Sequence, residues 1–270
     1  MNPVQLICLD VDGTLVSPTK ENPEHIPEEN IKSIQKALKA GIHVCVTTGR
    51  FPDSALHVAQ AAGINTDYVI SYNGGIIFYN GEIIDENPLT KEQVDKLNEI
   101  IHKYNLYAQY YAREGYYIIE RTKYTDMYQK IITRPPFIVG KEVYNMPVVH
   151  EMVIVSDDIE FNKKLVKEIE EIGDVLITVY RGMFIEVNNV GASKGSAVKQ
   201  LAQKLNIDLK NVMAVGDELN DLSMLNVVGY PVVMGQAKDE LKVGKLFTDT
   251  CDNAGVSKAI EKYCFNQTEE

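Results

Sequence analysis

The chain has 270 residues, enough for one large domain or two modest ones with a core of ordinary size. Hydrophobic residues make up 45% and charged residues 24%, a globular composition that excludes a disordered chain. Lys+Arg 27 against Asp+Glu 38 leaves a net charge of −11, so neither nucleic acid nor an anionic membrane is expected as a partner, and an anionic substrate would need a local positive site.

Leu6-Ile7-Cys8-Leu9 is wholly apolar and stops at Asp10-Val11-Asp12-Gly13-Thr14. A run without polar alternation predicts a strand covered on both faces, as in a parallel sheet. Pro27 opens a helix where its missing N–H does no harm, with Ile31, Ile34 and Leu38 on one stripe and Gly41 as the stop. Ile42-His43-Val44-Cys45-Val46 is the next strand and ends in Thr47-Thr48-Gly49-Arg50. A helix over about 53–62 and a strand over 68–71 follow, an order that implies right-handed crossovers and a doubly wound sheet. Asn80-Gly81 between two apolar runs signals a hairpin.

After Asn87-Pro88 the rhythm changes. Thr90 and Gln93 form a capping box for a helix reaching about residue 104. Tyr-rich strands are expected near 107–112 and 116–120, then a loop at Pro135-Pro136, a strand over 150–155, an amphipathic helix over 158–171, and a hairpin of 175–180 with 183–187. This pattern describes an α+β layer inserted at about 86–188, with 1–85 and 189–270 forming the α/β core. Ten of the 15 tyrosines lie in the insert, which suits strand propensity first and stacking on a sugar or heterocycle second. The first rhythm then returns: Ser193 caps a helix to about 205, strands are expected at 212–215, 232–234 and 245–247, and a last helix at 256–263.

Cys8, Cys45, Cys251 and Cys264 are too scattered for a disulfide framework. Asp10 and Asp12 interrupt the one candidate leader, and no apolar run approaches the ~20 residues that cross a bilayer. A reduced, cytoplasmic protein is expected, as a monomer or small homo-oligomer.

Open α/β sheets bind ligands outside the carboxyl ends of their strands. The polar clusters fall there: Asp10 and Asp12, then Thr48-Gly49, then Asp217 with Asn220-Asp221, while Lys194 opens the helix before that last strand. Carboxylates converging in one cleft repel each other unless a cation sits among them, and hard oxygen donors suit Mg²⁺. A magnesium ion, a lysine and a hydroxyl around one point would cradle a phosphoryl group. Asp10 could then attack phosphorus, and Asp12 could protonate the leaving oxygen and later deprotonate water.

Asp10-Val11-Asp12-Gly13-Thr14-Leu15, Thr48-Gly49-Arg50, Lys194 and Gly216-Asp217-Glu218-Leu219-Asn220-Asp221 resemble the four ordered motifs of the haloacid dehalogenase (HAD) superfamily. An α+β insert between the second and third motifs resembles the Cof-type phosphatases of subfamily IIB. The resemblance implies a Rossmann-like core of parallel sheet with helices on both faces, and a mobile cap that closes over the cleft. It implies Asp10 as nucleophile and metal ligand, and Asp12 as acid/base with its backbone carbonyl on the metal. Thr48, Gly49, Lys194 and Asn220 would bind phosphate, and Asp217 and Asp221 would hold Mg²⁺. Asn73 and Arg50 are expected on the substrate side. The implied reaction is hydrolysis of a small phosphomonoester, with sugar phosphates leading. The alternatives are a phosphomutase of sugar phosphates, a receiver domain, and a non-catalytic phosphosugar-binding protein.

Overall fold

The computed structural model describes residues 3–19, 22–64, 68–79, 81–129 and 134–266. It divides into two compact units, 1–86 with 193–270, and 87–192. No helix among the described residues is long and apolar enough to cross a membrane.

The first unit begins with β1 (Leu6–Leu9), α1 (Glu28–Lys39), β2 (His43–Thr47), α2 (Pro52–Ala61), β3 (Tyr68–Ser71), β4 (Ile76–Tyr79) and β5 (Glu82–Glu86). All four β1 residues are buried, as expected of a strand covered on both faces. Pro27 stands at the cap of α1, one place before the helix, and Glu28 and Glu29 at its start with Lys36 and Lys39 at its end match the helix dipole. Asn80 of the expected hairpin turn lies outside the described residues; β4 and β5 pair antiparallel on either side of it.

The second unit contains α3 (Lys91–Tyr104), β6 (Tyr107–Ala112), β7 (Gly115–Ile118), α4 (Lys123–Tyr128), β8 (Phe137–Ile138), β9 (Glu151–Val155), α5 (Ile159–Glu170), β10 (Val175–Tyr180) and β11 (Phe184–Asn189). The Thr90–Gln93 capping box forms, and α3 ends at Asn105 in the left-handed conformation. The sheet order is β10-β11-β9-β6-β7-β8, antiparallel except for β7 with β8. Leu97, Ile101, Leu165 and Ile169 of the two long helices pack against Tyr110, Met152, Ile154, Ile185 and Val187. Several tyrosines of this unit satisfy one another: Tyr111 Oη donates to Gln109 Oε1 at 2.8 Å and accepts the Tyr128 hydroxyl at 2.6 Å, and Tyr110 Oη donates to Asn98 at 2.6 Å.

The chain completes the first unit with α6 (Lys194–Lys204), β12 (Val212–Gly216), α7 (Leu222–Leu225), β13 (Tyr230–Val233), α8 (Asp239–Lys242), β14 (Leu246–Phe247) and α9 (Gly255–Ile260). The eight strands run β14-β13-β12-β1-β2-β3-β4-β5. The sheet is mixed: β14 through β3 are parallel, as expected of the core, and the hairpin of β4 and β5 extends the edge antiparallel. A short hairpin loop cannot return a strand in the parallel sense, which takes a crossover. Leu6 and Cys8 of β1 pack with Ala197, Val198 and Leu201 of α6, and Ile7 and Leu9, alternating to the other face, are equally buried. Because β1 lies between β2 and β12, the strand order reverses at its carboxyl end, where open sheets form their crevice.

Candidate active site

Asp10 leaves β1 at that point, its N–H bonded to the Val215 carbonyl at 3.0 Å. Lys194, the first residue of α6, reaches it from the capping box of Ser193. Lys194 Nζ donates to Asp10 Oδ1 and to Asp221 Oδ1, both at 2.6 Å, with its own side chain wholly out of solvent. Asp221 Oδ2 accepts the backbone N–H groups of Asp217 (2.8 Å) and Glu218 (3.0 Å), which folds the loop after β12 around it. Asp217 Oδ1 accepts the Thr14 hydroxyl at 3.0 Å. Gly13 holds φ +81, and a Cβ there would collide with Asp217 Oδ2, so the turn after β1 needs glycine to pass so close.

The electrostatics follow from burial. Desolvation first, then the Asp221 carboxylate, pushes Asp10 well above the ordinary carboxylate range, with Lys194 opposing. Burial, seconded by Asp221, raises Asp217 to about 6. Burial tends to lower the Lys194 ammonium, but Asp10 and Asp221 outweigh it and hold it above its ordinary value. Asp10, Asp217 and Asp221 bring carboxylate oxygens within 4.8 Å of one another. With all three ionised, one ammonium leaves this pocket about two positive charges short, and its donors are hard oxygens. A divalent cation such as Mg²⁺ therefore fits the donor set.

Thr48 and Asn73 come together beside this cluster. The Thr48 carbonyl accepts the Asn73 N–H at 3.0 Å, and Thr48 Oγ1 accepts the Arg50 N–H at 3.1 Å. Asn73 sits at φ 54 and accepts the Asn220 side-chain amide at 3.0 Å. A Cβ on Gly49 would lie 3.1 Å from the Asn73 amide, so Gly49, Asn73 and Asn220 share one wall. Asp12 behaves differently. Its side chain is 63% exposed and turns outward to Arg50, which grips it with Nε to Oδ2 at 2.9 Å and Nη2 to Oδ1 at 2.7 Å. Arg50 Nη1 is held by Glu24 at 2.6 Å, so the guanidinium expected on the substrate side is engaged with two acids. The Asp12 carboxylate is not among the grouped acids that could hold a metal ion; the resemblance assigned it a backbone carbonyl only. Sequence reasoning assigned no role to Thr14, although it lies within the first motif, nor to Gln236, which donates to Asp217 Oδ2 at 3.4 Å. Position alone, just past the end of a parallel strand, could have pointed to Gln236.

A parallel sheet with buried acids and a lysine at the exit of its central strand defines a phosphoryl-handling α/β enzyme. The chain belongs to the haloacid dehalogenase-like hydrolases, whose family model matches residues 7–260. Within them it is of the Cof-type, subclass IIB kind, and its curated relatives are named phosphatases. It is 27% identical, over 96% of both chains, to the 5-amino-6-(5-phospho-D-ribitylamino)uracil phosphatase YcsE of Bacillus subtilis. A solved HAD phosphatase from Bacteroides thetaiotaomicron is similar at 26% identity with a TM-score of 0.84, covering 97% of this chain and 95% of that one. A HAD subclass IIB sugar phosphatase is similar at 25% identity with a TM-score of 0.82, covering 96% and 99%.

Proposed function

We propose that this phosphatase hydrolyses a small phosphomonoester, foremost a sugar phosphate, with Mg²⁺ and through a phosphoaspartate on Asp10. The observation that carries this is the buried contact of Lys194 with both Asp10 and Asp221 beside Asp217, at the carboxyl end of the central strand. Asp10, Asp217 and Asp221 would hold the cation. When bound, Mg²⁺ would supply charge neutralisation for these acids and for the phosphoryl oxygens.

The remaining steps belong to the chain itself. An Asp10 carboxylate oxygen forms a bond to phosphorus as the bond to the leaving oxygen breaks, and Asp12 gives that oxygen its proton. Asp12 then takes a proton from water as the water oxygen attacks phosphorus, which frees Asp10 and inorganic phosphate. Lys194 offsets the charge shared by nucleophile and phosphate, while Thr48, the Gly49 amide and Asn220 bind phosphate oxygens. Leaving-group choice falls to the inserted unit, because the strand-end cluster handles the phosphoryl group alone. Two of the similar proteins are named for a ribitylaminouracil phosphate and for sugar phosphates, which supports a small polyhydroxylated leaving group. A cytoplasmic setting is part of the same proposal.

A phosphomonoester panel with product analysis tests it. Inorganic phosphate should be released, EDTA should stop release and Mg²⁺ restore it, and Asp10→Asn should abolish it in a folded protein. An isomerised sugar phosphate in place of free phosphate would make the enzyme a mutase, and full turnover by Asp10→Asn would end the phosphoaspartate route.

A further inference from the structure

Gln236 lies outside every motif that carries the proposed chemistry, yet its side-chain amide ties together three segments of the first unit. It follows β13 and is exposed. Its Nε2 donates to the Gly13 carbonyl and, at 3.4 Å, to Asp217 Oδ2, while its Oε1 accepts the Cys251 backbone N–H at 3.1 Å. Gly13 belongs to the turn after the nucleophile. Cys251 begins the short 3-10 turn Cys251–Asn253, and Asp252 of that turn accepts the Ser17 hydroxyl, a second tie to the 11–17 turn after β1.

We propose that Gln236 is a positioning residue that fixes the Asp217 carboxylate for a divalent cation by clasping it to the 11–17 turn and the 251–253 turn. This rests on the assignment of Asp217 as a metal ligand. Asp217 receives one hydrogen bond on each oxygen, from Thr14 on Oδ1 and Gln236 on Oδ2. Two donors approaching from different loops restrict rotation of the carboxylate about its own bond, so its orientation is set before a cation arrives. Hydrogen-bond partners of metal ligands commonly govern metal affinity by about 10–100-fold. An exposed glutamine contributes little to packing, so a purely structural role for it would be slight. The amide also uses both its ends, a donor toward the acid and an acceptor toward the far loop. A shorter side chain or one without hydrogen bonds could not replace that bridge.

Mg²⁺ titrated calorimetrically into the metal-stripped, full-length protein tests the clasp, with thermal unfolding of the metal-free form alongside. Gln236→Ala and the equally long Gln236→Met should each weaken Mg²⁺ binding about ten-fold and leave metal-free unfolding unchanged. Asp217→Asn is the control and should weaken binding more. Parent-like Mg²⁺ affinity in both glutamine variants, with Asp217→Asn impaired, would overturn the clasp while sparing the metal site. So would a loss of metal-free stability with unaltered affinity, which would mark Gln236 as a loop tie only. Unaltered binding by Asp217→Asn would instead overturn the metal assignment, and the clasp with it.

Discussion

Lys194 and Asp221 meet at 2.6 Å with neither side chain reaching solvent, and Asp10 shares the same ammonium. Removing one partner of a buried ion cluster leaves the others unpaid and costs about 3–5 kcal/mol. Lys194→Met should therefore lower the unfolding midpoint by roughly 10 °C as well as end turnover. The loss should shrink in acid, where the carboxylates protonate, and in excess Mg²⁺. A variant that melts with the parent at neutral pH would show that the acids do not need this lysine.

Arg50 predicts a leaving-group effect. Its fork on Asp12 sets where the proposed proton donor waits, and Glu24 and Ser54 hold the guanidinium in turn. Poor leaving groups need a proton more than good ones do. Arg50→Ala should slow hydrolysis of alkyl phosphates about ten-fold more than that of activated aryl phosphates. Equal slowing of both classes would point to phosphate or substrate binding instead.

Glu151 gives a pH prediction in the inserted unit. Burial first, then Glu186, raises its carboxyl well above the ordinary 4.5, against a hydrogen bond from Asn188 at 3.1 Å. A carboxyl raised in the fold supports stability below its unfolded value, and that support is lost as pH rises through the folded one. Glu151→Gln cannot ionise, so its unfolding midpoint should gain on the parent's as pH rises above the ordinary 4.5. Parallel curves would show that Glu151 ionises in the fold at no cost.

What the sequence made legible was local or periodic. The strand Leu6–Leu9 announces itself because every residue is apolar, and all are buried. Thr90 and Gln93 announce a helix start through side-chain chemistry three residues apart. The site was legible because Asp10, Lys194, Asp217 and Asp221 stand at element ends, and the sheet brings those ends together. By contrast β8, two residues long and directly after Pro135-Pro136, and α4, six residues long, are too short for a period to show. The Arg50 grip on Asp12 and the Gln236 bridge depend on loop conformations that no spacing encodes.

The central strand pairs on one side with β2, which follows it closely, and on the other with β12, reached only after the whole inserted unit. During synthesis one edge of β1 must therefore wait, apolar and unmatched, until residues 212–216 emerge from the ribosome. Such a long delay favours misassociation of nascent chains. The acids and the lysine also stay apart until then, so the molecule acquires its reactive pocket only after the whole inserted unit has been made.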